Sequence, residues 1–279
     1  MINFPIALVL YNPTSSTINR ILNFIDLGIK FYVFDNSNIK NNILSSINNI
    51  NYYCDNTNHG LSYSLSYLCQ NIKNDSYDYF LFFDQDTIFT FDTLKYIDSF
   101  IIYKNVNKDV YLNSIVSINF RDTSTINDQL NIIDIRSFDN YTITEVFFTI
   151  NSGSLYILEH FNLFKWFDEN YFVDGVDYSF SINVVLNKFK NISICNVPGL
   201  NHSAEQGNSS IDIFGKRFTS RVYSITRNYD FLRSHFFLLI KSSKISSIKP
   251  KIFLFKEIFG YISSQFLFRI ISLFSKKII

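Results

Sequence analysis

The chain has 279 residues, 47% of them hydrophobic, with 31 Phe and 18 Tyr against 8 Gly and 4 Pro; this excludes a collagen-like or low-complexity chain and allows one large domain or a domain with an appendage. The formal net charge is +1, so no global basic field points to nucleic acid. Cys54, Cys69 and Cys195 are odd in number and widely spaced, which fits neither a zinc motif nor a disulfide framework and makes a reducing cytosol the expected compartment.

The start, Met1-Ile2-Asn3-Phe4-Pro5, lacks a basic region and runs straight into a strand, so no signal peptide is expected. The first strand, Pro5 to Leu10, ends on Tyr11-Asn12-Pro13. A helix is predicted from Thr14 to Leu27, with Thr14 or Ser15 as N-cap and Gly28 as its stop. A second strand, Phe31 to Phe34, ends on Asp35-Asn36-Ser37 and precedes a helix over Ile39 to Ile47. A third, Ile50 to Tyr53, runs toward Asn58-His59-Gly60 and a helix from Leu61 to Ile72. The fourth is the aromatic run Tyr79 to Phe83, which stops on Asp84-Gln85-Asp86. This alternation predicts an α/β fold with a parallel sheet and helices on both faces. Ligands bind such sheets outside the carboxyl ends of the strands, where Tyr11, Asp35, Asn58, Asp84 and Asp86 all fall.

Asp84 and Asp86 cannot both be buried and unpaired, because each ionised group would cost several kcal/mol to desolvate. Either they hold a hard divalent cation that also grips the phosphates of a substrate, or they form a solvated turn after the strand.

From 104 to 145 the chain is polar and irregular, with strand-like pieces near 111–118 and 143–150. Asn151-Ser152-Gly153-Ser154 then reads as a hydroxyl-rich turn, in which Gly153 allows close backbone approach to a ligand or serves an ordinary turn. Asp168, Glu169, Asp174 and Asp177 follow among aromatics. A helix from about Asp177 to Lys188 would put Asp177 at its positive end, as a cap or as a general base, with Asp174 as second candidate. His202, after the strand-like 192–195, is either a polar loop residue or a metal ligand or diphosphate contact, the latter only if the chain folds back onto Asp86. Residues 215–240 have helical potential, and Arg217, Arg221 and Arg227 would line a basic, aromatic face that binds an anion or is solvated. The polar stretch 241–250 reads as a hinge. In 251–279 charges interrupt every candidate span of ~18–20 residues, so a transmembrane helix is not expected. The segment suits an amphipathic helix on anionic lipid, or one packed on the domain or on a second subunit in a homodimer. The expected division is a domain over 1–240 and a helical tail over 241–279.

The ordered set Leu10-Tyr11-Asn12-Pro13, Phe34-Asp35-Asn36-Ser37, Asn58-His59-Gly60-Leu61, Phe83-Asp84-Gln85-Asp86-Thr87, Asn151-Ser152-Gly153-Ser154, Phe167-Asp168-Glu169, Phe172-Val173-Asp174 with Val176-Asp177, His202 and Arg221 to Asn228 resembles the inverting glycosyltransferases of family 2. Asp-Gln-Asp followed by Thr is similar to the rhamnosyltransferase-like branch, which acts in bacterial O-antigen and capsule assembly. The resemblance spans about residues 6–230. It implies a GT-A fold with a mostly parallel central sheet, a dTDP- or UDP-linked sugar donor, and a lipid-linked glycan acceptor at the inner face of the plasma membrane. It further implies Mg2+ or Mn2+ at Asp84 and Asp86 with His202 nearby, donor contacts at Tyr11, Asp35, Asn58, Gly60, Asp84, Ser152 and Gly153, and Asp177 as catalytic base. Diphosphate or acceptor contacts would fall to Arg217, Arg221 and Arg227. Two positions depart from the family: Ser179 stands where Glu is frequent, and Asn183 near a frequent Arg. They motivate a competing reading as a non-catalytic nucleotide-sugar-binding homologue. A nucleotidyltransferase is disfavoured, since no Gly-rich phosphate loop lies near the N-terminus.

Overall fold

A computed structural model describes residues 2–107, 109–121, 128–160, 167–188, 190–197, 200–202, 209–213, 216–220 and 223–275, with 201–202, 209–213, 216–220 and 267–275 as backbone. Two compact units are found, Met1–Ser203 and Ala204–Ile279.

The first unit begins with β1 (Ile6–Leu10), α1 (Ser15–Asp26), β2 (Phe31–Asp35), α2 (Asn42–Ser45), β3 (Ile50–Tyr53), α3 (Gly60–Asn74) and β4 (Tyr79–Asp84). The four strands pair in parallel in the order β3-β2-β1-β4. Thr14 caps α1 by accepting from the Thr17 amide at 3.2 Å. Gly28, at φ +81, ends it with a left-handed residue whose amide returns to the Ile25 carbonyl at 2.8 Å. Ile18, Ile21 and Phe24 form the buried stripe of α1 against the sheet. β2 is buried at all five positions, as a strand covered on both faces should be. Expected and observed elements agree closely here, except that the helix expected over Ile39 to Ile47 is only α2, a single turn.

The chain continues through β5 (Thr87–Ile88), α4 (Phe91–Val106), α5 (Val110–Ser114), β6 (Ile115–Arg121), β7 (Ile132–Phe138), β8 (Tyr141–Val146), β9 (Ser154–Ile157), α6 (Val176–Val185), β10 (Asn191–Asn196) and β11 (Asn201–His202). Among the described residues the main sheet has nine strands, ordered β3-β2-β1-β4-β9-β6-β10-β8-β7. Only β8 and β9 run against the rest, so the sheet is mixed but mostly parallel. The piece expected as a strand over 111–118 is split, because Asp109 caps α5 through the Tyr111 and Leu112 amides before β6 begins. The strand expected over 143–150 ends at Val146.

β9 is a short antiparallel wedge between β4 and β6. Its approach depends on Gly153 (φ +81), whose amide donates to the Phe82 carbonyl and whose carbonyl accepts from the Phe120 amide, both at 2.8 Å. A Cβ at this position would lie 2.6 Å from the Phe120 carbonyl oxygen. The close backbone approach expected toward a ligand is therefore made to β6. Gly153→Ala combines a disfavoured φ with a backbone clash, and should cost about 2–4 kcal/mol in a denaturant titration.

The second unit comprises β12 (Ser209–Ile213), β13 (Lys216–Ser220), α7 (Ile225–Ser242) and α8 (Lys249–Ser275). β12 and β13 form an antiparallel hairpin, and α7 packs on α8. The unit boundary falls before the expected division at 240/241, because this hairpin and α7 cluster with the tail. The continuous helix expected over 215–240 is corrected too: 216–220 is a strand, and the helix starts at Ile225. The polar hinge is the short link 243–248 between the two helices.

Candidate functional site

The carboxyl edge of the sheet is assembled by side chains that tie neighbouring loops together. Gln85, between the two acids, makes a double bond set to the end of β1: its Oε1 accepts from the Tyr11 amide at 2.9 Å and its Nε2 donates to the Tyr11 carbonyl at 3.2 Å. The Arg20 guanidinium, from α1, donates to the Gln85 carbonyl. Ser152 holds the same turn from the other side, its Oγ accepting from the Asp84 amide at 3.0 Å and meeting Thr87 Oγ1 at 2.5 Å. Asp84 and Asp86, both half-buried, are thus presented on a turn clamped at both shoulders. Removing two such bonds in Gln85→Ala should loosen this turn and cost about 1–3 kcal/mol of stability, each bond being worth ~0.5–1.5 kcal/mol, which a thermal melt checks.

The loops after β2 and β3 are joined through Asn36. Its Nδ2 donates to the Gly60 carbonyl at 3.2 Å and to Ser64 Oγ at 3.0 Å, and its Oδ1 accepts from the His59 amide at 3.0 Å. Asn58 Oδ1 accepts from the Gly60 amide at 3.0 Å. Gly60 (φ +78) has Phe172 against it, where a Cβ would lie 2.6 Å from the Phe172 carbonyl oxygen. Asp35 is fully buried, and its carboxylate accepts from the Ser37 amide at 2.9 Å, from Ser37 Oγ and from Tyr52 Oη at 2.6 Å. Its oxygens hold this loop together at the place where the resemblance implies a contact with a base. Tyr11, half exposed, is the side chain that faces solvent beside it.

Asp177 occupies the first turn of α6, behind Gly175 at φ +82. Its Oδ1 accepts from the Tyr178 amide at 2.9 Å. The carboxyl keeps some accessible surface but is walled in by protein, and burial pushes its pKa up to about 7 against the amide, with the charges of Asp84 and Asp174 adding to the rise. Asp84 and Asp174 thus lie near enough for their charges to act on Asp177. The Tyr156 ring is stacked on Phe80, and burial pushes its phenol well up, with the charges of Asp177 and Asp84 adding to the rise. Ser179 is completely buried in α6, so the position where the family frequently has Glu belongs to the core in this chain.

Two residues that sequence reading passed over support this site. Asn119, in β6, donates to the carbonyls of Ile150 and Ser152 at 3.0 and 2.8 Å and to Ser154 Oγ at 2.9 Å. Arg121 Nε donates to Asn119 Oδ1 at 2.7 Å and its Nη2 to Thr149 Oγ1 at 3.2 Å. Burial lowers the Arg121 pKa to about 10, which Tyr178 and Asp177 oppose, so it stays cationic near Asp177 at neutral pH. Only its place at the end of an apolar run hinted at this.

β11 pairs with β5, matching His202 to Thr87 and Asn201 to Ile88. The chain does fold back beside Asp86 at the level of the backbone. Among the described residues no three His, Cys, Asp or Glu side chains are grouped to hold a metal. The donor chemistry nevertheless fits a hard cation: Mg2+ takes one or two carboxylates and leaves other positions to phosphate oxygens and water. Burial is the main cause of the raised Asp177 carboxyl, and the charges of Asp84 and Asp174 add to it, so a cation beside Asp84 would ease part of that rise. Arg221 lies outside the described residues, Arg217 sits on β13, and Arg227 lies over the Tyr223 ring at 4.8 Å at the start of α7. They do not form one helical face.

No protein-family model matches the chain, and no curated protein matches it. Among solved structures it is similar to a crystal structure of GalNAc-T7 with UDP, GalNAc and Mn2+, at 10% identity and a TM-score of 0.47, over 69% of this chain and 43% of that one. The chain thus spans less than half the length of that protein.

Proposed function

We propose that the chain is a metal-dependent, inverting glycosyltransferase of the GT-A type, moving a sugar from a nucleoside diphosphate donor to a hydroxyl of a glycan. The observation that carries the reading is a clamped acidic turn after β4, bearing Asp84, whose charge reaches Asp177, a carboxyl that burial raises to about 7. A carboxyl titrating near neutrality suits a general base.

Asp177 accepts the proton of the acceptor hydroxyl as that oxygen bonds to the anomeric carbon. The bond from that carbon to the diphosphate oxygen breaks in line, and its electron pair leaves with the nucleoside diphosphate. Asp84 and Asp86 would hold the divalent cation, which when bound offsets the charge developing on the leaving group. Gln85, Arg20 and Ser152 fix the turn that carries these carboxylates, so that little backbone reorganisation accompanies the step. Tyr11 and the Asn36–Gly60 loops would flank the nucleoside. Family 2, and its rhamnosyltransferase-like branch using a dTDP- or UDP-sugar and a lipid-linked acceptor, is the finer assignment we favour, supported by Asp84-Gln85-Asp86-Thr87 and the ordered motifs around it. The test is release of nucleoside diphosphate from a panel of nucleotide sugars with Mn2+. Turnover of one donor that stops in chelator supports the reading, and no turnover of any donor with any glycan acceptor removes it.

A further inference from the structure

Charge is segregated between the two units. Residues 204–279 carry thirteen Lys and Arg against four Asp and Glu, whereas 1–203 carry twelve against twenty. The near-neutral whole thus hides a strongly basic second unit.

In that unit α7 and α8 form an antiparallel hairpin. The Tyr261 ring stacks on Phe231 at 3.7 Å between centroids, and the Tyr223 amide donates to Gln265 Oε1 at 3.2 Å, so the start of α7 meets the later part of α8. Ser234, His235, Leu238 and Ser242 of α7 and Phe253, Leu254 and Gln265 of α8 are buried. Each helix also carries an exposed apolar stripe. On α7 it is Ile225, Tyr229, Leu232, Phe236 and Ile240; on α8 it is Ile252, Phe255, Phe259, Ile262 and Phe266. At ~100° per residue each stripe spans an arc of about 80°, centred about 145° from the side that packs on the other helix. Because the helices are antiparallel, those rotations run in opposite senses, so both stripes lean toward the same side of the hairpin. Phe236, Phe255, Phe259 and Phe266 are each more than 60% exposed there. By the same helical spacing Lys249 and Lys256 border the α8 stripe on one edge, Lys251 borders it on the other, and Arg233 flanks that of α7.

We propose that this two-helix face is a docking surface for a bilayer rich in anionic lipid, lying in the headgroup region with its aromatic rings turned toward the acyl chains. Charge complementarity selects the occupant: apolar stripes edged with lysine and arginine on a basic unit match a negative, apolar-backed surface. No helix among the described residues is long and apolar enough to cross a membrane, so the face lies on the bilayer. The inference does not depend on the proposed enzymatic function.

The test is flotation of the full chain with vesicles of phosphatidylcholine alone and with phosphatidylglycerol at about one third. The intact protein should float with the anionic vesicles at ~0.1 M salt, bind neutral vesicles about tenfold less, and weaken on raising salt to ~0.5 M. Phe255→Asp with Phe259→Asp should lower binding about tenfold or more at low salt while the circular dichroism and Tm stay as in the parent, since both rings are exposed. Lys249→Gln with Lys256→Gln should weaken binding and flatten its salt dependence, and this pair decides the matter if the aspartate variant misfolds. Equal binding to neutral and anionic vesicles, no flotation at all, or variants that bind like the parent would overturn the proposal. So would a dimer in sedimentation that Phe255→Asp dissociates without vesicle binding, which would assign the face to a second copy.

Discussion

Asp177→Asn is expected to lower turnover by about 100- to 10,000-fold, the usual contribution of one general base, while leaving donor affinity near that of the parent. The same change should make the metal-free protein more stable at high pH. Unfolded, an aspartate titrates near 3.8, and in the fold burial raises Asp177 to about 7. Between these values the native state binds more protons than the unfolded chain, so stability falls as pH rises through that window. Asparagine has no proton to lose. At pH 8 the variant should therefore melt about 2–4 °C above the parent, what ~1 kcal/mol does to a domain of this size once partial exposure is discounted. At pH 4 the two should melt together. A variant that loses activity without this pH-dependent gain in Tm would separate the catalytic role from the burial argument. A variant that stays active, with Asp174→Asn inactive, would move the base to Asp174.

Loss of the acidic pair should be the second large effect. Asp86→Ala is expected to reduce turnover on the order of 100- to 1,000-fold and to remove the Mn2+ dependence of donor binding, as expected when a preorganised electrostatic group is deleted. Asp84→Asn should do the same with the turn intact, because Ser152 holds Asp84 through its backbone amide. Calorimetric titration of a nucleoside diphosphate with and without Mn2+ reads this apart from catalysis. Equal binding in both conditions would mean that the acids serve the turn alone.

The first half of the fold was readable because each apolar run in β1 to β4 ends on a polar cluster, and the intervening segments carry caps such as Thr14 and stops such as Gly28. Asp177 was also legible, as an acid opening a helix after a glycine. Its raised pKa was not, since burial and the proximity of Asp84 and Asp174 arise from contacts between segments far apart in sequence. β9 escaped notice because a four-residue strand has too few positions to show a period, and its placement depends on Gly153 meeting Phe120. The partners of Asp35 were not legible for a related reason: at a strand end it reads as a ligand contact, and the bond it accepts from Tyr52, beside the local one from Ser37, joins segments apart in sequence. Gln85 and Asn119 were invisible because polar residues that clamp loops have no sequence period. The second unit differs from expectation at 216–220, where the segment pairs with β12 as a strand instead of forming a helix.

The most direct test of the central claim is nucleoside diphosphate release from nucleotide sugars by the purified chain, with Mn2+ or chelator, beside Asp177→Asn. Turnover of one donor is expected, stopped by chelator and reduced by at least ~100-fold in Asp177→Asn. Turnover untouched by both, or binding of the donor without turnover under any acceptor condition, would contradict it.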